Sequence, residues 1–205
     1  MRKSKLQRFA ELDTFTNVLQ NFNFLQPVVV NHEKQIVDPK GKWHSTIFKN
    51  NNPIILELAC GKGEYTCEMA LADKNSNYIG VDVKGNRMHR GAKRALEEKI
   101  DNAFFFFFDI NIIDTFFEPG EVSEIWITFP DPQIKYKRTK HRMTNSEFLK
   151  LYKNILKQEG VVNLKTDSEF MHGYTLGLLH GEGHEVLYAN HNVYMAVNFP
   201  SSYTN

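Results

Sequence analysis

Three acidic side chains lie in or directly after apolar segments, where they could bind a polar ligand. Glu57 lies within an apolar run that begins at Ile54, and Asp82 lies near the end of the next run. Asp109 directly follows the five phenylalanines at 104–108. In a parallel sheet, the carboxyl ends of the strands share one edge, and ligands bind there. We therefore expect these three acids to line one crevice.

A turn that contains two glycines, residues 59–64, follows the first apolar run. Gly61 and Gly63 permit a tight bend and a close approach of a ligand to the backbone. A dinucleotide fingerprint would need its first and third glycines at Ala59 and Glu64, and both are missing. Glu64 would also bring negative charge close to a pyrophosphate. The turn therefore disfavours a nicotinamide dinucleotide.

A nucleoside cofactor without phosphate groups fits these residues better. A carboxylate at a strand end can accept hydrogen bonds from a ribose diol, which we assign to Asp82, or from an adenine amino group, which we assign to Asp109. S-adenosylmethionine has both groups and no phosphate. Each acid alone is more often a solvated strand end or a helix cap. Three of them beside a glycine turn favour a cofactor site.

A second group of candidate residues begins at Phe129-Pro130-Asp131-Pro132. The two prolines restrict the backbone on both sides of Asp131, so its carboxylate should be held rigidly where a strand ends. Residues 133–142 follow, contain no acid and are rich in Lys and Arg. We interpret them as a phosphate-binding loop beside the crevice. Asp167 follows the last predicted strand and either caps the next helix or faces the same crevice.

Two further basic clusters could extend that loop. The chain has 25 Lys and Arg against 24 Asp and Glu, for a net charge of +1, so only local clustering bears on a polyanionic partner. The clusters are Arg2, Lys3, Lys5 and Arg8, and Lys84, Arg87, Arg90, Lys93 and Arg94. A charge run is more often a solvated face. These clusters therefore bind phosphates only if they converge in space.

Apolar runs of strand length alternate with segments of helix length, which predicts an α/β fold with a doubly wound, mostly parallel sheet. The predicted strands are 54–58, 78–83, 104–108, 122–129 and 161–164. The predicted helices are 64–73, 87–100, 144–157 and one that starts near 167. Residues 1–52 are expected to form a basic N-terminal helix and an irregular lead-in, and residues 53–205 the main part of one compact domain.

Composition excludes several classes of protein. No apolar run approaches the ~18 residues of a membrane helix, and the basic start is not followed by the apolar segment of a signal peptide. Two cysteines, Cys60 and Cys67, suit a reducing compartment, so we expect a cytoplasmic protein. The spacing of the histidines at 172, 180, 184 and 191 matches no tetrahedral metal motif, so we expect no metal. The residues are compatible with a monomer or a homodimer.

Three motifs in order resemble the bacterial tRNA (guanine-N7)-methyltransferase family. They are the segment 57–64, the Phe129–Pro132 segment with its basic loop, and Lys165-Thr166-Asp167. The resemblance implies the Rossmann-like class I methyltransferase fold, S-adenosylmethionine as cofactor and tRNA as substrate. Two alternatives stay open from the residues: methyl transfer to another nucleobase position, and a tRNA-binding module with an incomplete cofactor pocket.

The resemblance also implies roles for particular residues. The cofactor-binding positions are Glu57, Gly61, Gly63, Asp82, Asp109 and Asp131. Asp131 falls on the catalytic position, and Lys135 and Asp167 fall on substrate-binding positions. The RNA-contacting positions are Lys137, Arg138, Lys140, His141 and Arg142.

The chain departs from the family pattern at three places. Ala59 replaces the usual first glycine of the turn, which we expect to be tolerated if its φ is negative. Gln133 stands where the family often has Trp, so a stacking surface is expected to be lost. Members usually carry a Thr-x-x-Glu element and a final strand, whereas this chain ends at Tyr203-Thr204-Asn205 without either. We therefore expect the C-terminal strand element to be absent from these 205 residues.

Overall fold

The computed structural model describes residues 4–192. Arg2, Lys3 and the segment of the expected C-terminal departure lie outside the described residues. The strands are β1 Val18–Gln20, β2 Val29–Val30, β3 Ile36–Val37, β4 Ile54–Leu58, β5 Asn77–Asp82, β6 Ala103–Phe107, β7 Val122–Thr128 and β8 Leu156–Lys165. The helices are α1 Lys5–Leu12, α2 Glu64–Ala72, α3 Gly85–Glu97, α4 Ser146–Ile155 and α5 Glu169–Gly181. None of the helices in this part of the chain has both the length and the apolar character to cross a bilayer.

The described strands form one sheet in the order β3-β2-β1-β6-β5-β4-β7-β8. The six strands from β1 to β8 in this order are parallel, and β2 and β3 pair in antiparallel fashion at one side. The predicted doubly wound α/β fold is therefore confirmed. We call the edge at which the parallel strands end the carboxyl edge.

The N-terminal part contains more sheet than the sequence predicted. The expected basic helix is α1, which begins with a capping box between Ser4 and Gln7. Strands β2 and β3 lie in the segment expected to be irregular, and β1 precedes it. Because these strands have only two or three residues each, no periodicity could reveal them. Strand β1 pairs with β6, whose Phe107 carbonyl also accepts a hydrogen bond from the amide of Asn21 at 2.8 Å, and β2 and β3 extend the sheet from β1.

The side chains of the phenylalanine run pack into two cores, one on each face of the sheet. Phe106 and Phe108 pack into a core with Trp43 and Phe117, whereas Phe105 packs into a second core with residues of α2 and α3, such as Met88. Successive strand side chains point to opposite faces. Burial of Phe105, Phe106 and Phe108 therefore requires cover on both faces of β6.

Glycines let α3 rest directly on the turn that follows β4. Gly63 has a φ of +70°, and a Cβ there would lie 2.3 Å from Phe105 Cε1. A Cβ on Gly91, in the middle of α3, would lie 2.6 Å from the Lys62 carbonyl oxygen and 2.8 Å from Gly63 Cα. These are backbone atoms that no side-chain rotation can move away. The position of the turn therefore depends on the absence of a side chain at Gly91.

Gly91→Ala should lower the free energy of unfolding by about 1–3 kcal/mol, because the added methyl group overpacks a backbone contact. The measurement is urea unfolding. Gly173→Ala is the matched control, since Gly173 lies on α5 with open space around its Cα. It should raise stability by about 0.5–1 kcal/mol through helix propensity alone. Equal effects of the two variants would contradict the proposed contact.

Candidate active site at the carboxyl edge

Asp82 joins the end of β5 to the glycine turn. Its Oδ2 accepts a hydrogen bond from the amide of Gly61 at 2.9 Å, and its Oδ1 accepts one from the amide of Lys84 at 2.7 Å. The side chain is buried. The structure thus brings Asp82 and Gly61 together at the carboxyl edge, as the sequence predicted. Each carboxylate oxygen keeps a second lone pair for a ligand.

Glu57 lies deeper than the sequence suggested. Its side chain is 1% exposed in the central strand β4. The Thr128 hydroxyl donates to Oε1 at 2.5 Å, and the Thr66 amide donates to Oε2 at 2.8 Å, together with the Thr66 hydroxyl. Burial raises the pKa of Glu57 from 4.5 to about 7. Glu57 therefore connects α2 with the end of β7 beneath the surface of the site.

Asp109 lies at the end of the third strand of the predicted set, β6. Its Oδ1 accepts hydrogen bonds from the amide of Asn111 at 3.0 Å and from the Asn111 side chain at 2.6 Å. This pairing starts the helical turn Ile110–Thr115. No described residue donates to Oδ2. Asp109 thus combines a cap with an oxygen that is available to a ligand.

The turn after β4 contains an unexpected strained residue. Ala59 has a φ of +57°, so the condition under which its methyl group was expected to be tolerated, a negative φ, is not met. An L-residue with a side chain pays roughly 1–2 kcal/mol for this backbone conformation. The hydrogen bond from the Cys60 amide to the Val81 carbonyl, at 2.9 Å, holds the neighbouring peptide in place. Cys60 and Cys67 are both buried free thiols.

The proline segment presents Asp131 to solvent. Phe129 has a φ of +47°, and its amide donates to the Lys165 carbonyl at 2.7 Å. Pro130 is buried, whereas Asp131 is exposed and accepts a hydrogen bond from the Gln133 amide at 3.1 Å. The segment therefore bends sharply as β7 ends, and it is anchored to β8. Asp131 lies at the same carboxyl edge as the acids of the turn.

An aromatic pair beside Asp131 was not predicted. The rings of Tyr65 and Phe129 lie 5.8 Å apart, and Lys165 Nζ lies 5.1 Å from the centroid of Tyr65. Phe129 is 45% exposed despite its apolar side chain. A cation over an aromatic ring stabilises this arrangement. The only sequence signal was a large apolar residue directly before a proline at the end of a strand.

The basic loop has two kinds of residue. Its exposed members are Lys135, Lys137, Arg138, Lys140 and His141. Arg142 differs, because it is 6% exposed and its guanidinium donates to the carbonyls of Gln133 and Ile134, both at 3.2 Å. The rings of Phe170 and Tyr174 lie 4.8 and 4.4 Å from its Cζ. The structure therefore gives Arg142 the task of closing the loop onto α5, and not the RNA contact expected of it.

Asp167 is exposed at the end of β8. Asp167 does not cap α5. The cap is Ser168, whose hydroxyl accepts a hydrogen bond from the Met171 amide at 3.2 Å. A similar shift occurs at α4, which was predicted to begin at residue 144 but is capped by Asn145. Since β8 pairs with β7 in parallel, Asp167 and Asp131 lie at the same edge.

Most cations of α3 are neutralised. Arg94 pairs with Glu68 at 2.6 Å and with Glu98 at 2.8 Å. Arg90 pairs with Glu64 at 3.2 Å. Lys93 likewise lies 3.5 Å from a carboxylate of its own helix. This part of the predicted basic cluster is a set of surface ion pairs, some along α3 and others between α2 and α3, and it does not provide free phosphate-binding groups.

The fold is that of methyltransferases. The chain is similar to an antibiotic-related methyltransferase, with a TM-score of 0.53 and 18% identity over 66% of this chain and 68% of the other. It is also similar to the aminoglycoside resistance methyltransferase NpmB1, with a TM-score of 0.53 and 13% identity over 80% and 75% of the two chains. At these identities the likeness concerns the fold alone.

Sequence relatives define the family more narrowly. A family described as "Putative methyltransferase" matches residues 51–196. The tRNA (guanine-N7)-methyltransferase of Christiangramia forsetii is 57% identical over 98% of this chain and 88% of its own length. The enzyme of that name from Bacteroides fragilis is 43% identical over 95% and 74%. The chain therefore belongs to the tRNA (guanine-N7)-methyltransferase family, and the resemblance inferred from the motifs is confirmed.

Arg142→Lys should open the basic loop, because Lys lacks the planar guanidinium that binds two carbonyls and stacks on two rings. The measurement is limited proteolysis with trypsin, which cleaves after Lys as well as after Arg. The variant therefore keeps both the cleavage site and the positive charge at residue 142. We expect cleavage within residues 135–140 to become about tenfold faster. Arg138→Lys is the matched control, since Arg138 is an exposed member of the same loop. If both variants are cleaved at the wild-type rate, Arg142 does not close the loop.

Glu57→Gln should remove a pH dependence of stability. The folded chain holds the Glu57 proton more tightly than the unfolded chain, because the pKa is raised from 4.5 to about 7. This contribution is complete below pH 4.5 and is lost as the pH rises through 7. The wild-type free energy of unfolding should therefore fall by up to about 3 kcal/mol relative to that of the variant. Urea unfolding across this pH range measures it.

The control for this titration is Glu159→Gln, which changes an exposed carboxylate on β8. It should leave the pH profile of stability as in the wild type. A constant difference between wild type and Glu57→Gln at every pH would mean that folding does not change the pKa of Glu57, and would contradict this prediction.

Proposed function

We propose that this chain binds S-adenosylmethionine at the carboxyl edge and transfers its methyl group to N7 of a guanine in tRNA. The observation that carries the proposal is the convergence of the Gly61 turn, Asp82, Asp109 and Asp131 at one edge of the sheet. This convergence occurs in a chain that is 57% identical to a protein named for that reaction. Strand ends that carry polar groups at one edge are where α/β sheets bind ligands.

The residues of the turn fit a phosphate-free nucleoside. A Cβ on Gly61 would meet only the Ala59 carbonyl oxygen, at 3.9 Å, so a ligand can approach the backbone there. Asp82 and Asp109 offer carboxylate oxygens to hydroxyl and amino donors. Because Gly63 has no side chain, the turn lies directly against Phe105, and this contact fixes the distance of the turn from the sheet. Glu57 supports the same turn from below through Thr66.

The chemistry expected at Asp131 follows from the acceptor. Guanine N7 has an in-plane lone pair and carries no proton, so its methylation requires no general base. S-adenosylmethionine supplies a methyl group on a positively charged sulfur. As the bond to N7 forms and the bond to sulfur breaks, positive charge moves to the purine, where the Asp131 carboxylate stabilises it. The other contribution of the chain is to hold the reactants in line.

Substrate binding is assigned to the side of the edge formed by β7 and β8. Asp131 and Asp167 are acceptors that suit the N1–H and amino group of guanine, which adenine does not present in that pattern. Lys135 lies at the start of the exposed loop and suits a flanking phosphate. Lys137, Arg138, Lys140 and His141 extend this surface, and none of them pairs with a carboxylate within residues 4–192. Phosphate contacts position the RNA, and the two acids select the base.

Asp131→Asn and Asp131→Ala should each lower the rate of methyl transfer on the order of 100-fold, because the charge that stabilises the purine is lost. The assay uses a labelled methyl donor and bulk tRNA, followed by nucleoside analysis. Asp101→Asn is the control, since Asp101 is an exposed acid beside the opposite edge of the sheet. Undiminished turnover in both Asp131 variants would remove this residue from the mechanism.

The same assay separates the alternatives. A methyl mark on another position of the base would replace the proposed product. Binding of tRNA without any methyl transfer, and without calorimetric binding of S-adenosylmethionine, would leave the chain as a tRNA-binding module.

A further inference from the structure

Exposed aromatic rings lie at the carboxyl edge on the side away from the basic loop. The loop from 21 to 28, which connects β1 to β2, exposes Phe22 by 63%, Phe24 by 55% and Leu25 by 91%. Strand β1 pairs with β6 in parallel, so this loop leaves the sheet next to the ends of β6 and β5. The proposed cofactor turn lies between these rings and the basic loop.

The loop is held in this exposed conformation. Asn21 is buried, and its side-chain oxygen accepts hydrogen bonds from the amides of Asn23 at 3.3 Å and Val28 at 3.1 Å. The side-chain oxygen of Asn23 accepts from the amides of Leu25 and Gln26, both at 3.0 Å. Two Asx-type turns therefore fix the backbone, and the exposure of the rings is built into the loop.

A continuous row of rings connects this loop to basic residues. The ring of Phe22 lies 5.6 Å from that of Phe107, which lies 6.4 Å from that of Phe9. Lys5 Nζ lies 5.9 Å from the centroid of Phe9. A Cβ on Gly85, the first residue of α3, would lie 3.0 Å from Phe9 and 3.2 Å from Phe107. The start of α3 is thus in direct contact with the row.

Two cations next to Gly85 differ from the rest of their helix. Lys84 and Arg87 are exposed, and neither pairs with a carboxylate within residues 4–192. Farther along α3, in contrast, Arg90, Lys93 and Arg94 all pair with carboxylates. The free positive charge of the helix is therefore concentrated at the carboxyl edge, beside the exposed rings.

We propose that Lys5, Phe22, Phe24, Lys84 and Arg87 form a second RNA-binding surface, which holds unpaired nucleotides of the tRNA. We call these residues the aromatic-basic surface. Cations that lack acidic partners bind phosphates, and exposed rings stack on bases that are not already stacked in a duplex. A double helix offers no free base face, so single-stranded nucleotides are the partner that uses both features. This proposal rests on tRNA as the substrate.

Lys84→Ala combined with Arg87→Ala should weaken tRNA binding and flatten its salt dependence. Each phosphate contact to a single strand contributes about 0.7 to the slope of log affinity against log salt, so the slope should fall by about 1.4. Lys74→Ala combined with Lys99→Ala removes the same charge beside the opposite edge of the sheet and should leave the slope unchanged. A slope equal to the wild-type value in the Lys84/Arg87 variant would overturn the proposal.

Phe24 provides the test of stacking, because no ring contact within the described residues depends on it. Phe24→Leu keeps the apolar character and should weaken tRNA binding at least fivefold, with an unchanged salt slope. Phe24→Tyr keeps the aromatic face and should bind as the wild type does. If Phe24→Leu binds as tightly as Phe24→Tyr, or if Leu25→Ala weakens binding as much as Phe24→Leu, the surface is an apolar contact for another partner and the proposal fails.

These measurements use equilibrium binding to unmodified tRNA without a methyl donor. A wild-type chain that binds tRNA but does not methylate N7 would contradict the proposed function and leave this test intact. Conversely, normal methylation with no effect of the Lys84/Arg87 and Phe24 variants on binding would contradict this proposal alone. Thermal midpoints of all variants within a few degrees of the wild type would confirm that they are folded.

Discussion

The hydrogen bonds to the buried carboxylate of Glu57 are the interactions on which the rest of the site depends. Glu57 lies on β4, the strand that leads to the turn, and β4 pairs with β7, the strand that leads to the proline segment. Removing a carboxylate from water is costly, and donors from Thr66 and Thr128 offset only part of this cost. Because desolvation outweighs these hydrogen bonds, the pKa of Glu57 is raised to about 7. A group that is costly to bury is retained where it fixes two functional elements in one geometry.

Two backbone conformations at the carboxyl edge are likewise costly and are nevertheless retained. Ala59 and Phe129 both have positive φ values. Ala59 directly follows β4, and Phe129 directly follows β7, which pairs with β4. Such conformations persist only where the surroundings enforce them. Here the enforcing contacts are backbone hydrogen bonds to neighbouring strands, from the Cys60 amide to Val81 and from the Phe129 amide to Lys165. Hydrogen bonds to the strands of the sheet thus stabilise the strained backbone of the turn and of the proline segment.

The sequence was sufficient to predict the parallel sheet, because a strand covered on both faces has no polar side and forms a continuous apolar run. Asp82 and Asp131 could be placed for the same reason, since each follows such a run. The role of Arg142 could not be predicted, because the sequence does not distinguish an arginine that binds backbone carbonyls from one that binds phosphate. The strain at Ala59 was hidden as well, since residue type alone does not fix φ.

Ion pairing between helices is a further effect that the sequence concealed. Glu64 and Glu68 lie one turn apart on α2, and this spacing directs both carboxylates to the same face, where Arg90 and Arg94 of α3 meet them. Their pairing removes positive charge from the outer face of the helices. The net charge of +1 is therefore a poor description of the surface, because exposed charges act only over a Debye length of about 8 Å. Free cations remain on both sides of the Gly61 turn, so a polyanion that contacts both must pass over it.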